Sequence, residues 1–184
     1  MSRAGFALLL FSFAACAQQS DTGVALAAFN AGGIFGLGSH GAVGGSLAAP
    51  LSRYLVPFVD VSYAPLTSFA YTYGPQDAGK GLYRSSLLDV NGGVRIRFTN
   101  KRRDWVPYVG FGAGMLRRAS SDYTSGFSVT ATAKQTDTQF AGNASVGAMY
   151  YVTQHFGFGI ELKGYGAQHT RFARATASVF YQFP

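Results

Sequence analysis

The chain has 184 residues and a formal net charge of +7, with 48% hydrophobic but only 12% charged residues. That charged fraction is about half of the roughly 25% of soluble domains, and the basic residues are too scattered for a nucleic-acid interface, which we do not expect. No apolar run reaches the ~18 residues of a membrane helix, so a membrane-embedded chain of this kind has to be a closed β-barrel.

The first residues have the three parts of an export signal. Arg3 supplies a positive charge, residues 4–13 are apolar, and Ala15-Cys16-Ala17 offers small residues for cleavage. The sequence therefore predicts a signal peptide at 1–17 and a mature domain at 18–184.

A second interpretation of the same residues stays open. The stretch Phe13-Ala14-Ala15-Cys16 is similar to a bacterial lipoprotein box, which would keep Cys16 and lipidate it. If cleavage instead follows Ala17, the mature chain has no cysteine and needs no disulfide.

The mature chain alternates at period two in eight segments, which predicts eight strands. They are residues 24–31, 42–51, 55–65, 84–98, 105–115, 138–152, 156–165 and 171–183. Tight turns are expected at 52–54, 100–104 and 153–155, and polar loops at 32–40, 67–83, 117–137 and 166–170. An even strand number with short turns at one rim and longer loops at the other is typical of bacterial outer-membrane barrels. The predicted fold is all-β, an eight-stranded antiparallel up-and-down transmembrane β-barrel.

A repeat of fifty residues supports this division. Val56-Pro57-Phe58-Val59 returns as Val106-Pro107-Tyr108-Val109, and His155-Phe156-Gly157-Phe158-Gly159 follows another fifty residues on. A fixed period indicates a repeated structural unit, here one pair of strands after each short turn.

One face of the predicted strands is apolar, and the other carries charges of both signs. Eight strands enclose a bore that side chains can just fill, so we expect a plugged lumen with ion pairs and hydrogen bonds. A soluble lipocalin-like barrel is the alternative, but the apolar faces would then form patches far above those that water tolerates. The residues of the predicted lumen network are Asp60, Asp89, Asn91, Arg95, Arg97, Asn143, Glu161, Lys163 and Arg174.

Aromatic residues gather near the predicted short turns, as they do in the interfacial girdle of a membrane barrel. This predicted girdle contains Tyr54, Trp105, Tyr150, Tyr151, Tyr181 and Phe183.

Two strands carry a family resemblance. Residues 107–114, PYVGFGAG, and the closing residues 177–183, ASVFYQF, resemble the small eight-stranded outer-membrane barrels of the OmpA/OmpX and opacity types. The resemblance implies an outer-membrane location, contact with outer-membrane lipid and lipopolysaccharide, and insertion by the barrel-assembly machinery, which reads an aromatic-ended last strand. Pro184 departs from the aromatic terminus of the family. We expect no segment for the peptidoglycan-binding domain that some relatives carry.

Nothing in the sequence predicts a cofactor, a metal site or catalysis. His40, His155 and His169 fall in turns or loops without metal-ligand spacing. His155 and Glu161 are the nearest candidate pair for a hydrolase, but no serine stands beside His155 at the spacing of a deacylase motif.

The predicted loops are the remaining functional surface, because binding residues concentrate on loops held by a rigid scaffold. Seven residues of these loops are candidates for contact with lipopolysaccharide or an unidentified surface ligand: Tyr71, Tyr73, Lys80, Tyr123, Lys134, His169 and Arg171. For each of them, the alternative interpretation is an ordinary solvated loop residue. The leading functional hypothesis is an integral outer-membrane barrel with a structural or surface-interaction role. The alternatives are a narrow conduit for small or hydrophobic solutes and a lipid A-modifying enzyme.

Overall fold

The structure, a computed structural model, describes residues 25–37, 39–73, 79–98, 104–125, 130–168 and 170–183. They contain β1 (Leu26–Phe35), β2 (His40–Ala48), β3 (Leu55–Tyr73), β4 (Gly79–Arg97), β5 (Trp105–Ser125), β6 (Thr130–Tyr151), β7 (Phe156–Ala167) and β8 (Arg171–Gln182). Neighbouring strands are antiparallel, and β8 pairs with β1, which closes the sheet in sequence order. The predicted all-β, eight-stranded antiparallel up-and-down barrel is confirmed.

Both chain ends of the barrel meet at one rim. The backbone N–H of Phe183, just after β8, donates to the carbonyl of Ala25, just before β1, at 3.0 Å. The predicted signal peptide at 1–17 and the alternative at Cys16 lie outside the described residues. In the part of the chain that the structure describes, no helix is long and apolar enough to cross a membrane.

The same rim holds the short turns. The strands β3, β5 and β7 begin there, at Leu55, Trp105 and Phe156, so the fifty-residue repeat is one antiparallel strand pair. The turn before β3 is closed by the N–H of Leu55, which donates to Oγ of Ser52 at 3.0 Å. We call this end of the barrel the turn rim and the opposite end the loop rim.

The outer side of the barrel is apolar, and the charged side chains of its strands are enclosed inside. On β3, Val61 and Tyr63 are 40% and 49% exposed. Asp60 and Ser62, which alternate with them along the strand, are 1% and 7% exposed. This follows from the period-two geometry of a strand, in which successive side chains point to opposite faces of the sheet. The arrangement is the reverse of a soluble protein, where the apolar face is enclosed.

Four strands continue well beyond the barrel at the loop rim. β3, β4, β5 and β6 contain 19 to 22 residues, whereas β1, β2, β7 and β8 contain 9 to 12. β2 pairs with β3 only as far as Tyr63, and β7 pairs with β6 only as far as Ala141. Beyond these points the long strands form a four-stranded sheet, which we call the extension: residues 64–73, 79–87, 116–125 and 130–139.

The long loops predicted at 67–83 and 117–137 are therefore wrong, since most of these residues belong to strands of the extension. The predicted loop at 32–40 is also too long, because β1 runs to Phe35 and β2 begins at His40. The outer side of the extension carries polar as well as apolar side chains, so the alternation that marks a strand is lost while Thr and Tyr still favour one.

Apolar side chains fill the interior at two levels. The cluster near the turn rim, which we call the lower plug, contains Leu26, Ala48, Val56, Phe58, Val106, Tyr108, Met149 and Phe180. The cluster near the loop rim, the upper plug, contains Ile34, Ala42, Ala64, Leu66, Leu87, Leu116, Ala141, Tyr165 and Phe172. On β8, Arg174 lies between Phe180 and Phe172, so charged side chains occupy the level between the plugs.

Candidate functional site

Asp60 on β3 is the centre of a buried ion-pair network between the two plugs. Its Oδ2 atom accepts a 2.6 Å hydrogen bond from Nζ of Lys163 on β7 and another from Nη2 of Arg174 on β8. Asp60 and Lys163 are 1% and 0% exposed. Because β3 does not neighbour β7 or β8, these ion pairs cross the bore rather than follow its wall.

Asp89 on β4 extends the network toward the loop rim. The hydroxyl of Tyr165 donates to its Oδ2 atom at 2.6 Å, and the side-chain amide of Asn91 donates to the same atom at 2.9 Å. Nη1 of Arg174 lies 3.4 Å from this atom and also donates to Oγ of Ser62. Arg174 thus connects the carboxylates of Asp60 and Asp89.

Glu161 on β7 extends the network toward the turn rim. Its Oε2 atom accepts hydrogen bonds from Arg95 at 2.9 Å and from the hydroxyl of Tyr108 at 2.7 Å. Its Oε1 atom lies 3.2 Å from Nζ of Lys163. Since Lys163 also binds Asp60, one ammonium group links both halves of the network.

Phe58 of the lower plug lies directly against two of these cations. The guanidinium of Arg95 is 4.5 Å from the centroid of the Phe58 ring, and Nζ of Lys163 is 5.1 Å from it. Both distances are within the range of cation–π contacts. An isolated charge in such an apolar surrounding would be very unfavourable, so the carboxylate partners are required for the cations to be buried.

Seven of the nine residues predicted for the lumen network are linked by these contacts: Asp60, Asp89, Asn91, Arg95, Glu161, Lys163 and Arg174. The remaining two also point inward, but they form no ion pair with these seven in the part of the chain that the structure describes. Arg97 is buried near the turn rim without an ion-pair partner among residues 25–37, 39–73, 79–98, 104–125, 130–168 and 170–183. Asn143 is half-buried on β6, and its amide has no hydrogen-bond partner in that part of the chain.

Sequence reasoning did not include Tyr108, Tyr165 or Phe58, which contact the network. Strand parity could have found two of them, because Phe58 lies two residues from Asp60 and Tyr165 lies two residues from Lys163.

Tyr108 reaches Glu161 because its cross-strand partner on β6 is Gly147. A Cβ atom on Gly147 would lie 2.5 Å from the Tyr108 ring and 2.5 Å from the carbonyl oxygen of Ile160. Phe180 lies over Gly157 on β7 in the same way, since a Cβ atom there would lie 2.4 Å from the Phe180 ring. Because Gly147 and Gly157 have no side chain, the inward rings of Tyr108 and Phe180 can lie across the neighbouring strand.

The outward surface carries a belt of aromatic side chains at the turn rim, formed by the predicted residues Tyr54, Trp105, Tyr150, Tyr181 and Phe183. The ring centroids of Trp105 and Tyr150 are 5.2 Å apart, as are those of Tyr181 and Phe183. The placement of Tyr151 in this belt is wrong. Its hydroxyl donates to Gln182 at 3.2 Å and its ring meets Phe180 edge-on, because position 151 has the inward parity of β6.

The two faces of the extension differ in charge. On its outer face, which continues the apolar outside of the barrel, the described charged side chains are Arg84, Arg117 and Lys134, all basic. Its inner face continues the lumen wall and carries an aromatic cluster with Arg118, Asp122 and Asp137. The aromatic cluster consists of Phe69, Tyr71 and Tyr83.

The candidate surface-binding residues are divided between these faces. Tyr71 lies on the inner face, while Tyr123 and Lys134 lie on the outer face and Arg171 begins β8 at the loop rim. The side chains of Tyr73 and Lys80, and His169 as a whole, lie outside the described part of the chain.

The histidine that was paired with Glu161 as a candidate for catalysis does not approach it. His155 lies in the turn before β7, where Nδ1 is 3.1 Å from the carbonyl oxygen of Gln182, while Glu161 points into the lumen. His40 likewise contacts a backbone carbonyl, that of Leu37, at 3.1 Å. Across the described residues, no group of three or more His, Cys, Asp or Glu is placed to hold a metal ion.

Neither protein-family models nor the sequences of curated proteins gave a match to the chain. Solved structures did. The N-terminal β-barrel domain of Pseudomonas aeruginosa OprF is 18% identical, with a TM-score of 0.50, and the similarity covers 86% of this chain and 97% of that one. Neisserial surface protein A is 14% identical with a TM-score of 0.57, covering 86% of this chain and 96% of that one.

Ail, the attachment invasion locus protein of Yersinia pestis, is 11% identical with a TM-score of 0.52, and the similarity covers 87% of this chain and 97% of that one. The chain therefore has the closed eight-stranded fold of the small outer-membrane barrels, along nearly the whole length of each of these structures.

Proposed function

We propose that the protein is an integral outer-membrane β-barrel with a structural or surface-interaction role. The observation that carries this proposal is the inverted distribution of side chains, with charges buried at Asp60 and Lys163 while Phe111 and Ile160 are 59% and 60% exposed. Apolar side chains of this size around a whole barrel would far exceed the patch that a soluble monomer tolerates. Lipid chains cover such a surface without cost, and a closed barrel leaves no unpaired edge within the bilayer.

The dimensions of the apolar band fit a membrane. On β5 the outward residues are apolar from Trp105 to Met115, and the next outward residue is Arg117. The steps of ~3.3 Å from Trp105 to Met115, about ten in number and tilted by about 40°, span roughly 25 Å, the height of the apolar band of outer-membrane barrels. The aromatic belt at the turn rim then marks one interface, and Arg117 begins the other.

We place the turn rim on the periplasmic side and the extension outside the cell. Small outer-membrane barrels keep short turns in the periplasm and longer segments outside. Arg117 then lies directly above the apolar band, and Arg84 and Lys134, the cross-strand neighbours of Ser121, lie beyond it. There they would meet the phosphate groups of lipopolysaccharide. Each basic residue near an anionic membrane surface contributes about 1 kcal/mol of attraction. Lipopolysaccharide and other outer-membrane lipids are thus the expected neighbours.

The proposal includes a closed lumen. The two plugs and the ion pairs between them cross the bore at three successive levels, which supports a structural role over the narrow conduit that is the alternative. Catalysis is not part of the proposed function, because His155 lies in the turn before β7 whereas Glu161 points into the lumen. During insertion, the outward aromatics Tyr181 and Phe183 on the last strand are the residues that the barrel-assembly machinery would read.

Fractionation of cells expressing the full chain tests the location. We expect the protein in the outer-membrane fraction, resistant to carbonate extraction, with a gel mobility in dodecyl sulfate that changes on boiling because a closed barrel resists the detergent until heated. A chain that lacks residues 1–17 is the matched control and should stay in the cytoplasm unfolded. Recovery of the mature chain as a water-soluble monomer without detergent would overturn the proposal.

A further inference from the structure

We propose that the inner face of the extension binds an uncharged oligosaccharide presented from outside the cell. The inference rests on the proposed placement of the extension at the cell surface, and it names the class of partner for the surface-interaction role. Two observations support it. Phe69, Tyr71 and Tyr83 form a group of aromatic rings, the platform, with hydrogen-bonded polar side chains beside it. The described residues of the opposite barrel wall do not cover this face.

The platform lies on β3 and β4. Phe69 and Tyr83 are cross-strand partners with ring centroids 5.3 Å apart, and the ring of Tyr71 is 6.0 Å from that of Phe69. Tyr71 lies over Gly81, where a Cβ atom would come within 2.1 Å of its ring. The planes of the Tyr71 and Tyr83 rings are inclined by 47° and 31° to that of Phe69, so the three rings form a contiguous, shallowly curved apolar surface. The C–H face of a pyranose ring can stack on an aromatic ring of such a surface.

Polar groups flank the platform on β5 and β6. Asp122 is the cross-strand partner of Tyr83, and its carboxylate accepts a 2.7 Å hydrogen bond from the hydroxyl of Tyr71. Further along the same face, Asp137 accepts a 2.5 Å hydrogen bond from Gln139 and lies opposite Arg118. The carboxylates can accept hydrogen bonds, the guanidinium of Arg118 can donate them and the amide of Gln139 can do both, so together they match the hydroxyl groups around a sugar ring.

The face is accessible because the opposite wall ends early. β1 ends at Phe35, β2 begins at His40 and β7 ends at Ala167, whereas the extension continues for about ten residues beyond the barrel. Among the described residues, no side chain of the opposite wall covers Phe69, which stays 50% exposed although it is apolar. The sheet itself separates this face from the lipid side, so a ligand would come from the medium rather than from neighbouring lipid.

Charge decides the class of oligosaccharide. The charged residues with described side chains on this face are Arg118, Asp122 and Asp137, which sum to −1, and the carboxylates already accept hydrogen bonds. A sulfated or phosphorylated ligand would be attracted instead to the basic outer face at Arg84 and Lys134. The inner face therefore suits an uncharged sugar, for which stacking and neutral hydrogen bonds provide the contacts.

The test is calorimetric titration of the full mature chain, folded in sugar-free amine-oxide micelles, with chitohexaose, maltohexaose and a heparin hexasaccharide. We expect at least one of the two uncharged oligosaccharides to bind. Phe69→Ala should weaken this binding by about tenfold, the equivalent of ~1.4 kcal/mol and typical for loss of one aromatic contact. The matched control is Phe140→Ala on the outer surface, which is 72% exposed and should leave the affinity unchanged.

The inference is overturned if neither uncharged oligosaccharide binds to the folded chain, if Phe140→Ala weakens binding as much as Phe69→Ala, or if heparin competes for the same site. Boil-dependent gel mobility of each variant verifies folding before titration. Oligosaccharide binding is measured in micelles and the location is measured by cell fractionation, so the two results are independent. An absence of binding would leave the outer-membrane location intact, and a different location would leave the binding result intact.

Discussion

At the scale of single residues, parity along a strand decides whether a charge is buried. Asp60, Asp89 and Lys163 could be assigned to the lumen from the sequence because each alternates with apolar neighbours. Their partners could not be assigned, since Lys163 and Asp60 are 103 residues apart and meet across the bore. Which residues face each other there depends on the stagger of eight strands, and local alternation does not contain that information.

Two glycines on β6 provide a residue-scale prediction. Gly147→Ala should destabilise the barrel by about 1–3 kcal/mol, because its methyl group would displace Tyr108 from Glu161 and contact the carbonyl oxygen of Ile160. Gly142→Ala is the control on the same strand, where an added Cβ meets nothing within 4 Å; we expect it to be neutral or stabilising by about 0.4–1 kcal/mol. Urea unfolding in lipid vesicles measures both. Equal effects of the two substitutions would show that Tyr108 does not depend on the glycine beneath it.

At the scale of strands, the sequence predicts those segments whose outward side is apolar and misses those whose outward side is polar. Residues 105–115 alternate cleanly because one side must be apolar, and their observed strand begins at the predicted residue. Residues 130–137 are strand as well, but Thr132, Lys134 and Thr136 point outward, so no apolar face marks this strand in the sequence. The same absence of alternation made the extension resemble a loop in the sequence.

This boundary between lipid and water can be tested on neighbouring strands. Ile160→Arg on β7 would place a charge within the apolar band and should destabilise the barrel by about 2–4 kcal/mol. Thr136→Arg on the outer face of the extension should change stability by no more than about 0.5 kcal/mol, because that position meets water. The free energy of unfolding in vesicles is the measurement. A cost at position 136 similar to that at position 160 would mean that the extension is embedded too, and the proposed band would be misplaced.

At the scale of the whole molecule, the barrel has three layers stacked along its axis. Phe58 and Phe180 occupy the layer near the turn rim, the ion pairs around Asp60 the middle, and Leu66 and Phe172 the layer near the loop rim. An ion that crossed would have to pass two apolar layers and separate a buried ion pair, and each of these steps is costly. The interior therefore forms the packed core of the barrel, and its apolar outside is the surface that we propose to be covered by lipid.

The layered interior predicts that the protein does not conduct ions. In planar bilayers we expect no steady, voltage-independent current steps, whereas a porin with sixteen strands, inserted under the same conditions, should give them because its bore is water-filled. Failed insertion would also give no current. It is excluded as the cause when vesicles from the same preparation contain the heat-modifiable form of the protein. Regular conductance steps from the inserted protein would instead favour the narrow conduit. Breaking the ion pairs alone, as in Lys163→Met, should leave the bilayer silent, because both apolar layers remain in place.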